Sequence, residues 1–401
     1  MATLILTLPP HIPGGVATKA KILADYLRRA GQDVTIAFYA ARGTYPELNV
    51  GLSRALTNHH PKSLKLKEFG NHNCVVVGCQ FPEIESRYTA SSTLWGELIQ
   101  SHKYHIAVGG SVLIANPLVA AGVKHWVWCA CDVEGDRHAR RNAMGFIRRH
   151  LDRCFITPKL EVQERSILTS PLNKILGVSP FSISSLKLAQ PNAISEMDVL
   201  PIPTDMDFFC SDDEGALKLK TPILGFAGRL DDPRKNPNLL FQSFAYIRKL
   251  GVDAKLHVTG SSTPELTALV GSHGISDHIK FLGRLSRDEL KGFYQSLALF
   301  IIPSEQEGLA IVGIEAMACG NPVISTKCGG PEAYVEQGIN GYLCGFDAAE
   351  IANRVAELLE NEDRYLNFSK AARNSVQKEY AVSAFERNFS KHWSSLWDGD
   401  I

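Results

Sequence analysis

The sequence predicts an α/β protein made of two doubly wound parallel sheets, and three observations predict it. The first 40 residues read strand, helix, strand, a βαβ start. Short apolar runs then alternate with turn and helix signals along the rest of the 401 residues. The alternation breaks at Pro201-Ile202-Pro203-Thr204-Asp205, which prolines keep free of helix and strand, and restarts beyond it. A chain of this length is expected to hold two or three domains.

Leu4-Ile5-Leu6-Thr7-Leu8 is an apolar run stopped by Pro9-Pro10, so Thr3 to Leu8 reads as a buried strand. Pro13-Gly14-Gly15 makes a turn. Val16, Ile22, Leu23, Tyr26 and Leu27 then form a helical stripe that Gly31 ends. The next strand is Asp33 to Tyr39. Further strands are expected at 74–78, 105–109, 125–129, 153–157 (RCFIT) and 174–178. After the break they fall at 222–228, 255–260, 279–283, 297–303, 322–326 and 341–344. The expected domains are 1–203 and 204–383, with the acidic stretch Ser211 to Gly215 following the boundary. An apolar-striped helix around Ala384 to Trp397 is more than the second domain needs, so the segment 384–401 is expected to cross back onto the first. In such sheets ligands bind at the carboxyl edges of the strands.

Composition narrows the function. Lys+Arg and Asp+Glu number 42 each, giving no net charge, which argues against a general nucleic-acid binder. Nine cysteines with no C-x-x-C spacing read as buried, reduced thiols of a cytoplasmic protein. No run reaches the roughly 18 apolar residues of a bilayer span. The amino terminus lacks the basic region of a signal peptide.

The densest chemistry lies between residues 225 and 345. Arg229 and Lys235, in GFAGRLDDPRKNPN, follow a strand, and two cations at a strand's carboxyl edge suit a pyrophosphate; a pair of surface charges in a loop would read the same way. In PSEQEGLAIVGIEAMACGNPVIST, a strand closes at Pro303 and Leu309 to Cys319 reads as a helix, with Gly320 at its end. Gly308 then sits where backbone N–H groups gather at a helix start, a ready anion site, although an ordinary βαβ crossover has the same pattern. Glu307 and Glu315 stand eight residues apart, about 12 Å along a helix, too far to flank one glycosidic bond as an acid and nucleophile about 5 Å apart. They suit different tasks, Glu307 reaching a sugar beside the phosphate and Glu315 a ribose diol. Gly329-Gly330 adds another turn where backbone approaches closely, with a helix start at Pro331.

These residues carry a resemblance. The P-x-x-x-G-G turn ending at Gly15, the GRL…DPRKNP loop, the E-x7-E pair inside EGLAIVGIEAMACGNPVIST and the GG-P-E…GINGYL tail together resemble glycosyltransferase family 4, retaining nucleotide-sugar enzymes of the GT-B fold. The resemblance covers most of the second domain and the first 40 residues; residues 41 to 200 match mainly in the order of elements. It implies two Rossmann-like domains facing a cleft, an acceptor-binding amino-terminal domain and a donor-binding carboxy-terminal one. It implies that Arg229 and Lys235 bind the donor diphosphate and carry catalysis with Glu307. Backbone groups of Gly308, Leu309 and Ala310 would hold the phosphate and sugar, Glu307 the sugar hydroxyls and Glu315 the ribose. Gly283, Arg284 and Leu285 would line the base, and Gly14 and Gly15 would close over the diphosphate. It implies no metal and no cofactor beyond the nucleotide sugar. The expected activity is hexosyl transfer from a UDP-hexose such as UDP-glucose to a hydroxyl acceptor. The alternatives are a GDP-mannose-dependent mannosyltransferase and a non-catalytic nucleotide-sugar-binding protein.

One position departs from that family. Cys131, ahead of Asp132 in VWCACDVEGD, stands where a histidine is usual, and a thiol cannot replace an imidazole as a cation or hydrogen-bond partner. Cys131 and Asp132 are therefore acceptor-side candidates, with His125 and His138 nearby. The stretch 137–153 holds six arginines against one aspartate; if helical it would meet anionic lipid at the inner face of a membrane, or a phosphorylated acceptor, and the plain alternative is a solvated basic helix. Asp205-Met206-Asp207 has D-x-D spacing but lies in the linker, and Ser184-x-x-Lys187 lacks the partner motifs of a penicilloyl-serine site. No G-x-G-x-x-G supports a nicotinamide enzyme.

Overall fold

The computed structural model describes residues 2–12, 14–54, 59–142, 144–211 and 215–397. Pro13 of the first glycine turn, most of the acidic stretch after the linker and the last four residues lie outside these. The chain divides into two compact units, residues 1–200 with 386–401, and residues 201–385. The sequence placed these boundaries at 203 and 383.

The first unit is an eight-stranded sheet. Its strands are β1 (Ala2–Thr7), β2 (Asp33–Tyr39), β3 (Ser63–Glu68), β4 (His72–Val77), β5 (Tyr104–Val108), β6 (His125–Cys129), β7 (Asn173–Gly177) and β8 (Glu196–Val199). Their order is β3-β4-β2-β1-β5-β6-β7-β8, and all pairs are parallel except β3 with β4. The inner strands are buried on both faces, Leu4, Ile5 and Leu6 completely, which is why they read as unbroken apolar runs. The two edge strands escaped the sequence reading for the same reason. SLKLKE and EMDV are largely exposed and interleave charge with apolar residues, the polar edge that discourages pairing with another chain.

RCFIT, expected as a strand, is not one. Residues Asp152–Ile156 form a π-helical turn that runs into the helix Thr157–Leu168. β6 and β7 pair directly, from His125 with Asn173 to Cys129 with Gly177, so the sheet has no place for a strand between them. The apolar Phe155 of this run is exposed instead of buried.

The second unit is a six-stranded, wholly parallel sheet. Its strands are β9 (Ile223–Phe226), β10 (Lys255–Val258), β11 (Ile279–Phe281), β12 (Leu299–Ile302), β13 (Val323–Thr326) and β14 (Gly341–Cys344), in the order β11-β10-β9-β12-β13-β14. Each was legible as an apolar run. Leu224, Leu240, Phe244, Leu299, Ile301 and Val355 lie in its core. The helix Ile311–Ala318 ends at Cys319, and Gly320 follows at φ +82°, the left-handed conformation that glycine takes without a Cβ clash. There the N–H of Gly320 bonds the Met317 carbonyl at 2.9 Å and that of Asn321 the Ala316 carbonyl at 3.0 Å.

The last helix is Val382–Leu396, and from Glu386 onward it belongs to the first unit. Phe389 and Trp393 meet Trp126 of β6 nearly edge-on at centroid distances of 4.9 and 5.8 Å, and Trp393 meets Tyr104 of β5 at 4.7 Å. Arg29 pairs with Glu386 at 3.2 Å on the rim of this cluster. Trp393 is 1 % exposed, so Trp393→Ala should destabilise the protein by about 3–5 kcal/mol, the usual cost of emptying a buried tryptophan site. Urea unfolding followed by far-ultraviolet circular dichroism measures this, and a loss below about 1 kcal/mol would contradict the packing.

Candidate functional site

Strand order locates the site in the second unit. β9 and β12 are neighbours, but the chain winds from β9 towards β10 and β11 on one side and from β12 towards β13 and β14 on the other. At such a switch point the loops leaving the two strands part and leave a crevice at the carboxyl edge. The loop after β9 carries Gly228, Arg229, Asp232, Arg234 and Lys235; the loop after β12 carries Ser304, Glu307 and Gly308. The structure thus brings together residues that the sequence singled out separately.

Their meeting point is one ion pair. The Lys235 ammonium donates to Glu307 Oε1 at 2.5 Å, and the Ser304 hydroxyl donates to the same oxygen at 2.7 Å. Both charged side chains are mostly buried, with 18 % and 12 % of their surface exposed. An ammonium has three N–H donors, so Lys235 can keep Glu307 and still bond an incoming anion. Asp232 organises the rest of the β9 loop. It accepts from Arg234 Nε at 3.0 Å and Nη2 at 2.7 Å, and from Arg229 Nη2 at 3.0 Å. Burial alone would raise its pKa, but these bonds, Arg234 first, outweigh it and hold the carboxyl below the usual range. Arg229 keeps 49 % of its side chain exposed, leaving donors of its guanidinium open to a ligand.

The loop after β13 closes the arrangement. Glu307 N–H bonds the Cys328 carbonyl and Gly330 N–H bonds the Glu307 carbonyl, both at 2.8 Å. A Cβ on Gly330 would stand 2.5 Å from the Leu309 Cα, so only glycine lets these backbones approach this closely. The expected helix over 309–319 begins two residues later, at Ile311, because Ala310 turns left-handed at φ +58° as its N-cap. The buried Tyr334 hydroxyl holds that turn by donating to the Ala310 carbonyl at 3.0 Å. Leu309 and Ala310 are both nearly buried, which leaves their backbone as what they can offer a ligand.

Glu315 lies inside the helix and accepts from the Tyr294 hydroxyl at 2.9 Å. Burial raises its pKa to about 7, against the lowering effects of Tyr294 and Arg287. The two glutamates of the E-x7-E pair therefore differ in kind, one bound to a lysine and one to a tyrosine. Gly283 N-terminal to Arg284 and Leu285 sits at φ +69°, and its carbonyl accepts from Gly260 N–H at 2.8 Å, joining the turns after β10 and β11; Arg284 is exposed. Asp205 of the D-x-D spacing pairs with Arg287 at 2.9 Å and accepts from Phe208 N–H at 3.1 Å, a structural use.

The first unit holds the other candidates. Gly14 precedes the helix Gly15–Arg29, at φ +140°, and a Cβ on either glycine would meet nothing within 4 Å. Cys131 donates its thiol to the Gly110 carbonyl at 3.4 Å. Asp132 accepts from the Ser185 hydroxyl, and from Gly135 N–H at 3.3 Å. His125 is buried in β6, its pKa lowered by burial to about 4, and its Nδ1 lies 2.8 Å from the Val123 carbonyl, so it is a core residue and does not compensate for Cys131. The side chain of His138 lies outside what the structure describes.

Sequence reasoning missed two buried ionisable groups here. Lys19, 1 % exposed, donates to the carbonyls of Gly109 and Trp128 at 2.9 Å each, and burial lowers its pKa to about 8. It joins the helix after β1 to the ends of β5 and β6, beside the first unit's own switch point between β1 and β5. Glu164, also buried, accepts from Val133 N–H at 2.9 Å, and burial raises its pKa to about 7. Both sit at helical spacing from apolar neighbours, Lys19 from Leu23, and Glu164 from Leu160 and Ile167; a charge inside an apolar stripe was the available signal.

Comparison with known proteins fits this geometry. Structures of glycosyltransferases trace nearly the whole chain: sucrose-phosphate synthase from Thermosynechococcus elongatus covers 98 % of it with 99 % of its own length (TM-score 0.70, 18 % identity), and Anabaena HepE in complex with UDP covers 99 % with 100 % (TM-score 0.71, 17 % identity). The two doubly wound units are those of the GT-B fold. Residues 211–375, which lie within the second unit, match the family model for glycosyl transferases group 1. The chain is also 30 % identical over 212 residues to the D-inositol 3-phosphate glycosyltransferase of Mycolicibacterium smegmatis, covering 50 % of this chain and 48 % of that one. It is 36 % identical over 143 residues to the N-acetyl-alpha-D-glucosaminyl L-malate synthase of Bacillus anthracis, covering 35 % and 36 %. The chain thus spans half or less of the length of these curated relatives.

Glu315 supplies a pH test of the site. Its carboxyl titrates near 7 when folded against the ordinary 4.5, so folding favours the neutral form. That stability is fully present below pH 4.5 and is lost as pH rises through 7, on the order of 3 kcal/mol in all. Glu315→Gln removes this term, so relative to the parent it should gain stability as pH rises from about 5 to 8. Equal pH slopes for the two proteins in urea unfolding would show that the burial is wrongly assigned.

Proposed function

We propose that the chain is a retaining hexosyltransferase that takes a hexose from a nucleotide sugar, UDP-glucose or another UDP-hexose, and passes it to a hydroxyl acceptor. The observation that carries this reading is the Lys235–Glu307 pair at the switch point of the second unit, within the matched family segment. Diphosphate bound there meets the Lys235 ammonium, the exposed Arg229 guanidinium and the backbone beside Gly308. Glu307 takes the hydroxyls of the adjoining sugar and Glu315 the ribose. Uridine is chosen because HepE, which shares the fold, is described with UDP. The hydroxyl acceptor accords with relatives named for inositol 3-phosphate and malate, both of which carry one.

In the proposed reaction the bond from the sugar C1 to the diphosphate oxygen breaks, the acceptor oxygen bonds C1 from the same face, and the acceptor's proton passes to the departing phosphate. The residues' largest task is to stabilise the charge that grows on the leaving group. A cation about 4 Å from a phosphate oxygen contributes roughly 4 kcal/mol at an effective dielectric of 20, before desolvation. Two fixed cations and backbone N–H groups therefore suffice for several powers of ten in rate, and the proposal calls on no metal.

A thermal-shift panel of UDP, GDP and ADP tests the donor base. UDP should stabilise most, by about 2.7 kcal/mol at a hundredfold excess over its dissociation constant; a larger shift with GDP would move the reading to a mannosyl donor. Arg229→Ala and Lys235→Ala should each lower turnover more than about a hundredfold, given the role assigned to them. Near-normal turnover in both variants would remove the diphosphate assignment.

A further inference from the structure

The stretch 137–153 is not one basic helix. It forms two, Val133–Asn142 and Phe146–Leu151, and its arginines divide between inside and outside. Arg137 is buried and bonds Asp152, itself 1 % exposed, and it reaches Glu85 at 2.9 Å. Arg141 bonds Glu134 and lies 3.3 Å from Asp152. The Thr157 hydroxyl donates to Asp152 at 3.1 Å. This knot fixes the base of a projecting segment. From Phe146 to Leu151 nothing is buried.

What projects is apolar as well as basic. Phe146 is 86 % exposed, Ile147 75 %, Leu151 48 % and Phe155 68 %. Ile147, Leu151 and Phe155 follow at intervals of four, the spacing of one helical stripe. Arg148, Arg149, Arg153 and Lys159 stand exposed among them. Arg149 donates to the carbonyls of Arg141 at 2.9 Å and Met144 at 3.0 Å, which steadies the turn. Asp152, the one carboxylate between Phe146 and Leu160, is buried and already paired. The outward charge of this segment is therefore wholly positive.

We propose that Phe146, Ile147, Leu151 and Phe155 insert into the surface of an anionic lipid bilayer, with Arg148 and Arg153 on the lipid headgroups. The combination decides for a bilayer. Aromatic and aliphatic side chains standing in water favour the boundary between headgroups and acyl chains, and the exposed cations Arg148 and Arg153 beside them favour anionic lipid. A soluble phosphorylated ligand would use the arginines and leave the apolar residues in water. No helix among the described residues is long and apolar enough to cross a membrane, so the contact is peripheral. This inference does not rest on the donor assignment.

Co-sedimentation of the full chain with vesicles tests it. The protein should bind vesicles of phosphatidylglycerol and phosphatidylcholine about tenfold or more tightly than vesicles of phosphatidylcholine alone, and added salt should weaken that binding. A Phe146→Ser, Ile147→Ser, Phe155→Ser triple variant and an Arg148→Gln, Arg153→Gln double variant should each lose about tenfold or more of it. Because these side chains are exposed, melting followed by circular dichroism should be unchanged, which separates lost binding from lost folding. Absence of vesicle binding by the parent, or binding indifferent to both sets, would overturn the proposal. So would self-association that the serine variant abolishes without any vesicle binding, which would assign the surface to a second copy of the chain.

Discussion

An ammonium and a carboxylate taken out of water must face each other, and Lys235 and Glu307 do so across 72 residues of sequence. Removing one partner of a buried pair leaves the other uncompensated, at a cost of about 3–5 kcal/mol. The pair therefore fixes the loop after β9 against the loop after β12. Backbone bonds from Glu307 and Gly330 tie in the loop after β13. Three strand ends are thus tied to a single charge pair at the carboxyl edge where the strand order switches. Preorganised donors of this kind need little rearrangement as charge develops on a ligand.

The parallel strands were legible because burial on both faces leaves only apolar residues in them. That signal fails in two places for physical reasons. An edge strand such as SLKLKE has one side in water, so its pattern is that of a polar turn. An apolar run such as RCFIT carries the signal without the structure, because β6 and β7 already occupy adjacent places in the sheet. Arg229, Lys235, Glu307 and Glu315 stood out in the sequence by residue type beside strand ends. Lys19 and Glu164 did not, because their chemistry lies in where they are buried, and a single charged residue in an apolar stripe resembles a break in the stripe.

Spacing alone sets Glu307 and Glu315 apart, but does not show how differently they are placed. Eight residues separate them, and between them Ala310 turns left-handed, so the helix begins only at Ile311. Glu307 is consequently outside the helix, paired with a cation, while Glu315 is inside it, under a tyrosine hydroxyl and in surroundings that favour its neutral form. The same side chain thus behaves as a fixed anion at one end of the site and as a group poised to titrate near neutrality at the other. Any ligand contact that needs an ionised Glu315 must itself supply part of the free energy of ionising it.

The rule that buried charge must be paired also sorts the arginines of the first unit. Asp152 can be buried only with cations around it, and Arg137 and Arg141 are drawn inward to meet it. Once they are committed, Arg148 and Arg153 have no carboxylate left between Phe146 and Leu160 and remain in solvent. The apolar residues on the same turns have no sheet face to cover, because the segment leaves the sheet between two strands that already touch. Charge and apolar surface are thus pushed outward by two separate constraints, one electrostatic and one topological, and they arrive on the same short helix. A chance loop would have no reason to satisfy both while holding its base with a buried ion-pair knot, and that coincidence is what makes the surface a candidate for recognition.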